Sequence, residues 1–178
     1  MSSQLSTLHT LTTQLSAGGD RTAILTMRPD GQDEWSYGRL GETVRELASG
    51  LAQLGVGPGT RVALLAENRP EWIASCLAVL QTGATVMPLD VQLGEETLTH
   101  ILNDSGSAYV FTSTEQVERV NGLELTSVPK TILFDAPAEN ESSYLKLFGA
   151  TARDFPEPRP EDPAALFYTS GTTGPPKG

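Results

Sequence analysis

Cysteine, histidine and lysine are scarce in this chain: Cys76 is alone, His9 and His100 are the two histidines, and only three lysines stand among its 12 basic residues. A lone cysteine excludes an intramolecular disulfide and a cysteine-based metal site. Two histidines so far apart in sequence have no metal-ligand spacing. The 22 acidic residues outnumber the basic ones, and a net charge of −10 argues against a nucleic-acid or anionic-membrane surface, both of which need clustered Lys and Arg. No apolar run reaches the roughly 20 residues that span a bilayer, and the first residues lack the basic and apolar regions of a signal peptide. A cytoplasmic location is expected. With 38% hydrophobic residues over 178 positions, there is apolar material for one globular domain or a little more.

What is present is an alternation of helical and strand patterns. Leu5, Leu8, Leu11 and Leu15 draw an apolar stripe on a short first helix. Residues 22–27 read as a strand, and the turn Arg28-Pro29-Asp30-Gly31 returns the chain through 34–37 as a hairpin, with Trp35 and Tyr37 on one face. From Tyr37, the spacing of Leu40, Val44, Leu47, Leu51 and Leu54 predicts a helix capped by Ser36 and stopped at Gly55. Strand 61–66 is continuously apolar after Arg61, the pattern of a parallel strand covered on both faces. The next helix is expected to take Asn68 as its cap, Pro70 in its first turn and Trp72, Ile73, Leu77 and Leu80 as buried positions; Cys76 lies within it as a small hydrophobe, and Gly83 ends it.

The alternation continues with a strand at 84–89 ending near Pro88, a helix near 94–103, a strand at 108–112, a short helix near 114–121 and a strand at 131–134. Glu95 and Glu96 suit the dipole at a helix start rather than acid–base chemistry. The fold class implied is α/β: an N-terminal helix and hairpin over 1–36, then a doubly wound, mostly parallel sheet with flanking helices over 37–134. Residues 135–163, with prolines at 156, 158, 160 and 163, read as an extended surface connector, and 164–178 as a last strand followed by a loop.

That loop is the stretch most charged with chemistry. Tyr168-Thr169-Ser170-Gly171-Thr172-Thr173-Gly174-Pro175-Pro176-Lys177-Gly178 brings hydroxyls, glycines and a cation together, so that O–H donors, backbone N–H groups and an ammonium can converge on a phosphate. Its spacing departs from the common nucleotide loop G-x-x-x-x-G-K-[ST]: counted from Gly171, Pro176 stands where the second glycine belongs and Gly178 where the hydroxyl belongs. Pro175 and Pro176 also lack backbone donors, which puts any cradle of N–H groups at 170–174. A solvated turn is the other reading of such composition.

The string Tyr-Thr-Ser-Gly-Thr-Thr-Gly-x-Pro-Lys-Gly, directly after the apolar run 164–167, closely resembles the signature loop of the adenylate-forming superfamily: acyl-CoA synthetases, peptide-synthetase adenylation domains and luciferases. All of its specified positions match, with Pro175 in the variable place. The likeness extends from about Ala23 to Gly178 through Trp35-Ser36-Tyr37, residues 54–65, Glu67-Asn68-Arg69-Pro70-Glu71-Trp72, residues 82–90 and residues 101–106, and it points to the N-terminal region of bacterial acyl-CoA synthetases.

The resemblance implies a chemistry: a carboxylate such as a fatty acid is activated with ATP and Mg²⁺ to an acyl-adenylate, releasing pyrophosphate, and the thiol of coenzyme A then attacks. It also implies roles for residues of this chain. Thr169, Ser170, Gly171, Thr172, Thr173, Gly174 and Lys177 would grip the β- and γ-phosphates, with Lys177 the one candidate catalytic group through its charge on the departing pyrophosphate; pairing of Lys177 with a carboxylate as a structural anchor is the other reading. Members of the family are longer than this chain, and the groups that bind adenine, ribose and Mg²⁺ follow the loop in them, so the 178 residues alone are expected to be inactive. An adenylation unit for amino or aryl acids, a ligase that loads acyl carrier protein, and a non-catalytic phosphate-binding or interaction module are the alternatives.

Overall fold

The computed structural model describes residues 7–29, 31–169 and 175–178. Leu5 of the expected stripe, Asp30 of the expected turn and positions 170–174 of the loop lie outside the described residues. The chain divides into two compact units: Met1–Pro58 with Asn68–Ala84 and Leu147–Ala164, and Gly59–Glu67 with Thr85–Lys146 and Ala165–Gly178.

The first unit begins with α1 (Leu8–Gln14) and a 3-10 turn at Leu15–Gly18. Here the stripe is not the buried face. Leu8 and Leu11 are exposed, while His9, Thr12 and Leu15 are buried. A helix of only two turns can bury one narrow face, and the one it sets against its neighbours runs through 9 and 12, spaced like i and i+3. The hairpin follows as β1 (Thr22–Arg28) and β2 (Gly31–Ser36), paired antiparallel. Tyr37 does not share a strand face with Trp35; it is the first residue of α2 (Tyr37–Gln53), because the Ser36 hydroxyl accepts the Arg39 N–H at 3.2 Å and caps the helix there. Trp35 is buried, with the Arg39 guanidinium 4.1 Å over its ring.

On α2, Leu40, Val44, Leu47 and Leu51 are buried as their spacing predicts, but Leu54 caps the end and is exposed; Gly55 takes φ 87° and stops the helix. α3 (Pro70–Gln81) packs against α2. Its N-cap is Arg69, not Asn68, and it buries Ala74, Ser75, Ala78, Val79 and Leu80 rather than Trp72, Ile73 and Leu77. On α3 the small residues Ala74, Ser75 and Ala78 are buried beside Val79 and Leu80, while on α2 a Cβ at Gly41 would stand 2.3 Å from the Ser16 hydroxyl oxygen, so that glycine makes room for the 3-10 turn. Cys76 is half-buried, and burial pushes its thiol pKa up to about 11.

The second unit is a parallel sheet of β3 (Arg61–Leu65), β4 (Thr85–Leu89), β5 (Tyr109–Thr112) and β6 (Lys130–Leu133) in the order β4-β3-β5-β6. The chain steps from β3 to β4, then returns past β3 to β5 and on to β6, so the winding reverses between β3 and β5. Val62, Ala63, Leu64 and Leu65 are all fully buried, as expected where both faces of a strand are covered. One face carries Ala63, Leu65, Met87, Leu89 and Val110, which form a core with Leu98, Ile101 and Leu102 of α4 (Glu95–Ser105) and Val120 of α5 (Thr114–Asn121). Glu95 and Glu96 fill the first turn of α4, and Gly106 ends it at φ 59°.

Residues 135–147 are packed rather than extended. Phe134 stacks on Phe111 at 5.5 Å, Tyr144 tilts onto Phe134 at 5.6 Å, and the Ser143 hydroxyl donates to the Ala136 carbonyl at 2.8 Å. The alternating prolines lie further on and carry no information about this stretch. No described helix is long and apolar enough to cross a membrane.

The expected last strand at 164–169 does not form as a ladder. Ala165 makes a single parallel pairing with Val86, the Leu166 N–H donating to the Val86 carbonyl at 2.9 Å. In a parallel ladder the next bond would run from the N–H of residue 88 to the Leu166 carbonyl. Residue 88 is Pro88, which has no N–H. Val86 and Pro88 turn their backbone groups to the same outer edge, so Pro88 interrupts pairing on that side while β4 stays in register with β3 through Leu64.

Candidate functional site

Although it forms no ladder, the segment before the loop keeps strand alternation. Leu166 and Tyr168 pack against the core on the α4 side, while Phe167 between them is exposed. The Val86–Ala165 pair is parallel, so the chain from Ala165 runs in the direction of β4, toward the carboxyl end of the sheet. The loop therefore leaves at the carboxyl edge of a parallel sheet, where open α/β sheets bind ligands.

Of the residues expected to grip phosphate, the structure describes Thr169 and Lys177 and brings them together; Ser170, Gly171, Thr172, Thr173 and Gly174 lie outside the described residues. Thr169 and Lys177 form a bonded antiparallel pair, the Thr169 N–H donating to the Lys177 carbonyl at 3.1 Å and the Lys177 N–H to the Thr169 carbonyl at 3.2 Å. Directly opposed residues of such a pair project to the same side, so the Thr169 and Lys177 side chains leave the base of the loop together. Both residues are exposed, and among the described residues Lys177 takes part in no ion pair. That arrangement fits an anionic ligand: a mobile cation and a hydroxyl donor at the neck of a Gly/Thr loop.

Two side chains not singled out in the sequence contact this base. His100 Nε2 lies 2.9 Å from the Pro176 carbonyl, and the Tyr168 hydroxyl donates to Asp104 Oδ2 at 2.5 Å. Burial, then the bond to the Asp104 carboxylate and its negative charge, push the Tyr168 phenol pKa up to about 12, against a smaller lowering by Arg61. His100 and Asp104 are four apart on α4, and that spacing is the one trace of the contact in the sequence. In the first unit, cavities of about 290 and 380 Å³ are both lined by His9; neither Thr169 nor Lys177 lines either.

The sequence matches the AMP-binding enzyme family over residues 11–178. The chain belongs to that family. Among its relatives, surfactin synthase subunit 3 of Bacillus subtilis is 36% identical over 143 residues, which cover 80% of this chain and 10% of that protein. Feruloyl-CoA synthase of Amycolatopsis is 36% identical over 146 residues, covering 80% of this chain and 27% of that protein. In fold it is similar to an acyl-CoA synthetase of Brucella canis, with a TM-score of 0.83 at 23% identity over 97% of this chain and 32% of that one. It is also similar to an O-succinylbenzoate coenzyme A synthetase of Bacillus subtilis determined with AMP, with a TM-score of 0.70 at 23% identity over 98% of this chain and 41% of that one. The chain thus spans well under half the length of these relatives.

Proposed function

We propose that this chain supplies the phosphate-gripping loop of an enzyme that activates a carboxylic acid with ATP and passes the acyl group to coenzyme A. The observation that carries the reading is the Thr169–Lys177 pair: it closes the neck of the Tyr168–Gly178 loop and leaves both residues exposed on it. In the reaction, a carboxylate oxygen attacks the α-phosphorus of ATP and pyrophosphate leaves; the thiol then attacks the acyl carbonyl and AMP leaves. Charge grows on the departing pyrophosphate, and donors arranged beforehand stabilise it without reorganisation. Lys177 would meet that charge, Thr169, Ser170, Thr172 and Thr173 would donate hydrogen bonds, and Gly171 and Gly174 would let the backbone approach. Mg²⁺ would share the neutralisation of the phosphates; no residue of this chain is assigned to it or to coenzyme A.

A fatty acid is the proposed substrate class, and a cytoplasmic location goes with the use of ATP and coenzyme A. The similarity to surfactin synthase subunit 3 favours a second reading, an adenylation unit for an amino or aryl acid; a ligase that loads acyl carrier protein is a variant of the first. Since the chain spans only 27% of the feruloyl-CoA synthase, the 178 residues alone are proposed to be inactive. The test is carboxylate-dependent exchange of pyrophosphate into ATP by the full-length enzyme over fatty, aryl and amino acids. The best substrate separates the first two readings. No exchange with any acid overturns both in favour of a non-catalytic module, and exchange by the 178 residues overturns their inactivity.

A further inference from the structure

The loop neck consists of a single bonded residue pair, and two-stranded pairings of that size are marginal in water without further support. Support comes from α4. His100 holds the residue just before Lys177, through the Pro176 carbonyl at 2.9 Å, and Asp104 holds the residue just before Thr169, through the Tyr168 hydroxyl at 2.5 Å. One helix face, at i and i+4, thus grips both the outgoing and the returning strand of the neck. A carbonyl only accepts, so His100 Nε2 carries the hydrogen in this contact. The helix is itself firmly seated, with Leu98, Ile101 and Leu102 at 0%, 1% and 2% exposure. The chain after Lys177 is also in close contact: a Cβ placed on Gly178 would come within 2.9 Å of Leu166 Cδ1 and Tyr168 Cζ, so Gly178 lies directly on the ring that Asp104 holds.

We propose that α4 clamps the neck of the loop, with His100 and Asp104 as positioning residues that fix where Lys177 and Thr169 present their ammonium and hydroxyl. That this serves phosphate binding rests on the reading of function above; the clamp itself rests on the contacts alone. The reason is geometric. Lys177 is exposed on a long flexible stem, so the placing of its charge depends on its backbone. Small displacements of groups that meet developing charge cost rate steeply. Pro175 and Pro176 stiffen the returning strand but supply no donor that could hold it, which leaves the Pro176 carbonyl as the handle. Asp104 acts at one remove, through Tyr168, and neither His100 nor Asp104 needs to touch substrate.

The clamp is tested by amide hydrogen exchange on the 178-residue chain, read at Thr169 and Lys177, whose N–H groups close the neck. His100→Ala is expected to speed exchange at both by about three- to ten-fold, the effect of losing one ordinary hydrogen bond, while Ile101 and Leu102 stay protected. His100→Gln, which keeps an N–H donor of similar reach, is expected to restore the slow rate. Tyr168→Phe removes only a hydroxyl and is expected to act as His100→Ala does. In the full-length enzyme, His100→Ala is expected to raise the KM for ATP and lower kcat by a similar factor at unchanged KM for the carboxylate. Unprotected Thr169 and Lys177 amides in the wild type, no change in either variant, or a Gln variant as fast as the Ala variant overturns the clamp. A full-length enzyme without exchange activity overturns the reading of function instead, and the amide rates then decide the clamp on their own.

Discussion

Gly50 lies in the last turn of α2, and replacing a glycine inside a helix by alanine ordinarily adds about 0.8–1.0 kcal/mol of helix stability. Here the opposite sign is expected. A Cβ at position 50 would stand 2.1 Å from the Leu147 carbonyl oxygen and 2.8 Å from Leu147 C and Cα, all backbone atoms. No rotamer change relieves a backbone clash, so the backbone at Leu147 or the helix must shift by about an ångström. Overpacking of this kind costs about 1–3 kcal/mol, and contact with backbone rather than flexible side-chain ends puts Gly50→Ala at the top of that range. Set against the propensity gain, the net loss is about 2 kcal/mol, or roughly 4–8 °C in Tm for a chain of this size. Gly38→Ala in the same helix is the control: its nearest atom is the Gly19 carbonyl oxygen at 3.3 Å, a shift of a few tenths suffices, and a change within about 0.5 kcal/mol is expected. Thermal and denaturant unfolding of the 178-residue chain measures both. A Gly50→Ala protein as stable as the wild type, or more so, would refute the claim that glycine is needed there for space.

If the proposed function holds, a longer protein carrying this chain is expected to lose about 10²–10³-fold in the rate of pyrophosphate exchange on Lys177→Ala, with Thr173→Ala weaker, at unchanged melting temperature; near-normal exchange by both variants removes the loop from the proposed chemistry. Cys76, with its thiol at about 11, is expected to alkylate at pH 8 on the order of a hundredfold more slowly than the same cysteine in the unfolded chain, and equal rates in folded and urea-unfolded protein would contradict this. Tyr168→Phe is expected to remove one phenolate absorbance transition centred near pH 12, and Asp104→Asn to move that transition toward pH 10. The sign follows from the raised pKa: the protonated phenol is the form favoured in the fold, so its contribution to stability is complete below about pH 10 and fades as pH rises through 12.

Periodicity made the strands β3 to β6 and the helices α2 to α5 legible as elements, though not every buried face: in α3, Ala74, Ser75, Ala78 and Val79 are buried instead of Trp72, Ile73 and Leu77. Where a segment is short, the pattern misled. The leucines of α1 outnumber its other apolar positions, yet neighbouring helix contacts bury His9 and Thr12, a tertiary preference that one turn of sequence does not record. Within the loop, composition indicated anion chemistry, while the contacts of its neck depend on α4, some seventy positions earlier in the chain, and pairings at such separation leave no local signature.

Pro88 supplies the remaining step. Read alone, it suggests that β4 ends; in the sheet it sits inside β4 with its missing N–H toward the outer edge, where Leu166 would otherwise find a donor. Had residue 88 carried an N–H, the segment 165–169 could have zipped along β4 as a regular fifth strand, with Thr169 drawn along the sheet edge. The ladder stops after one pairing, and the chain is free to turn back so that Thr169 meets Lys177 instead. One proline in the edge strand thus removes a bond the ladder would need just past its single pairing, and the residues that follow are met instead by His100 and Asp104 of α4, through the Pro176 carbonyl and the Tyr168 hydroxyl.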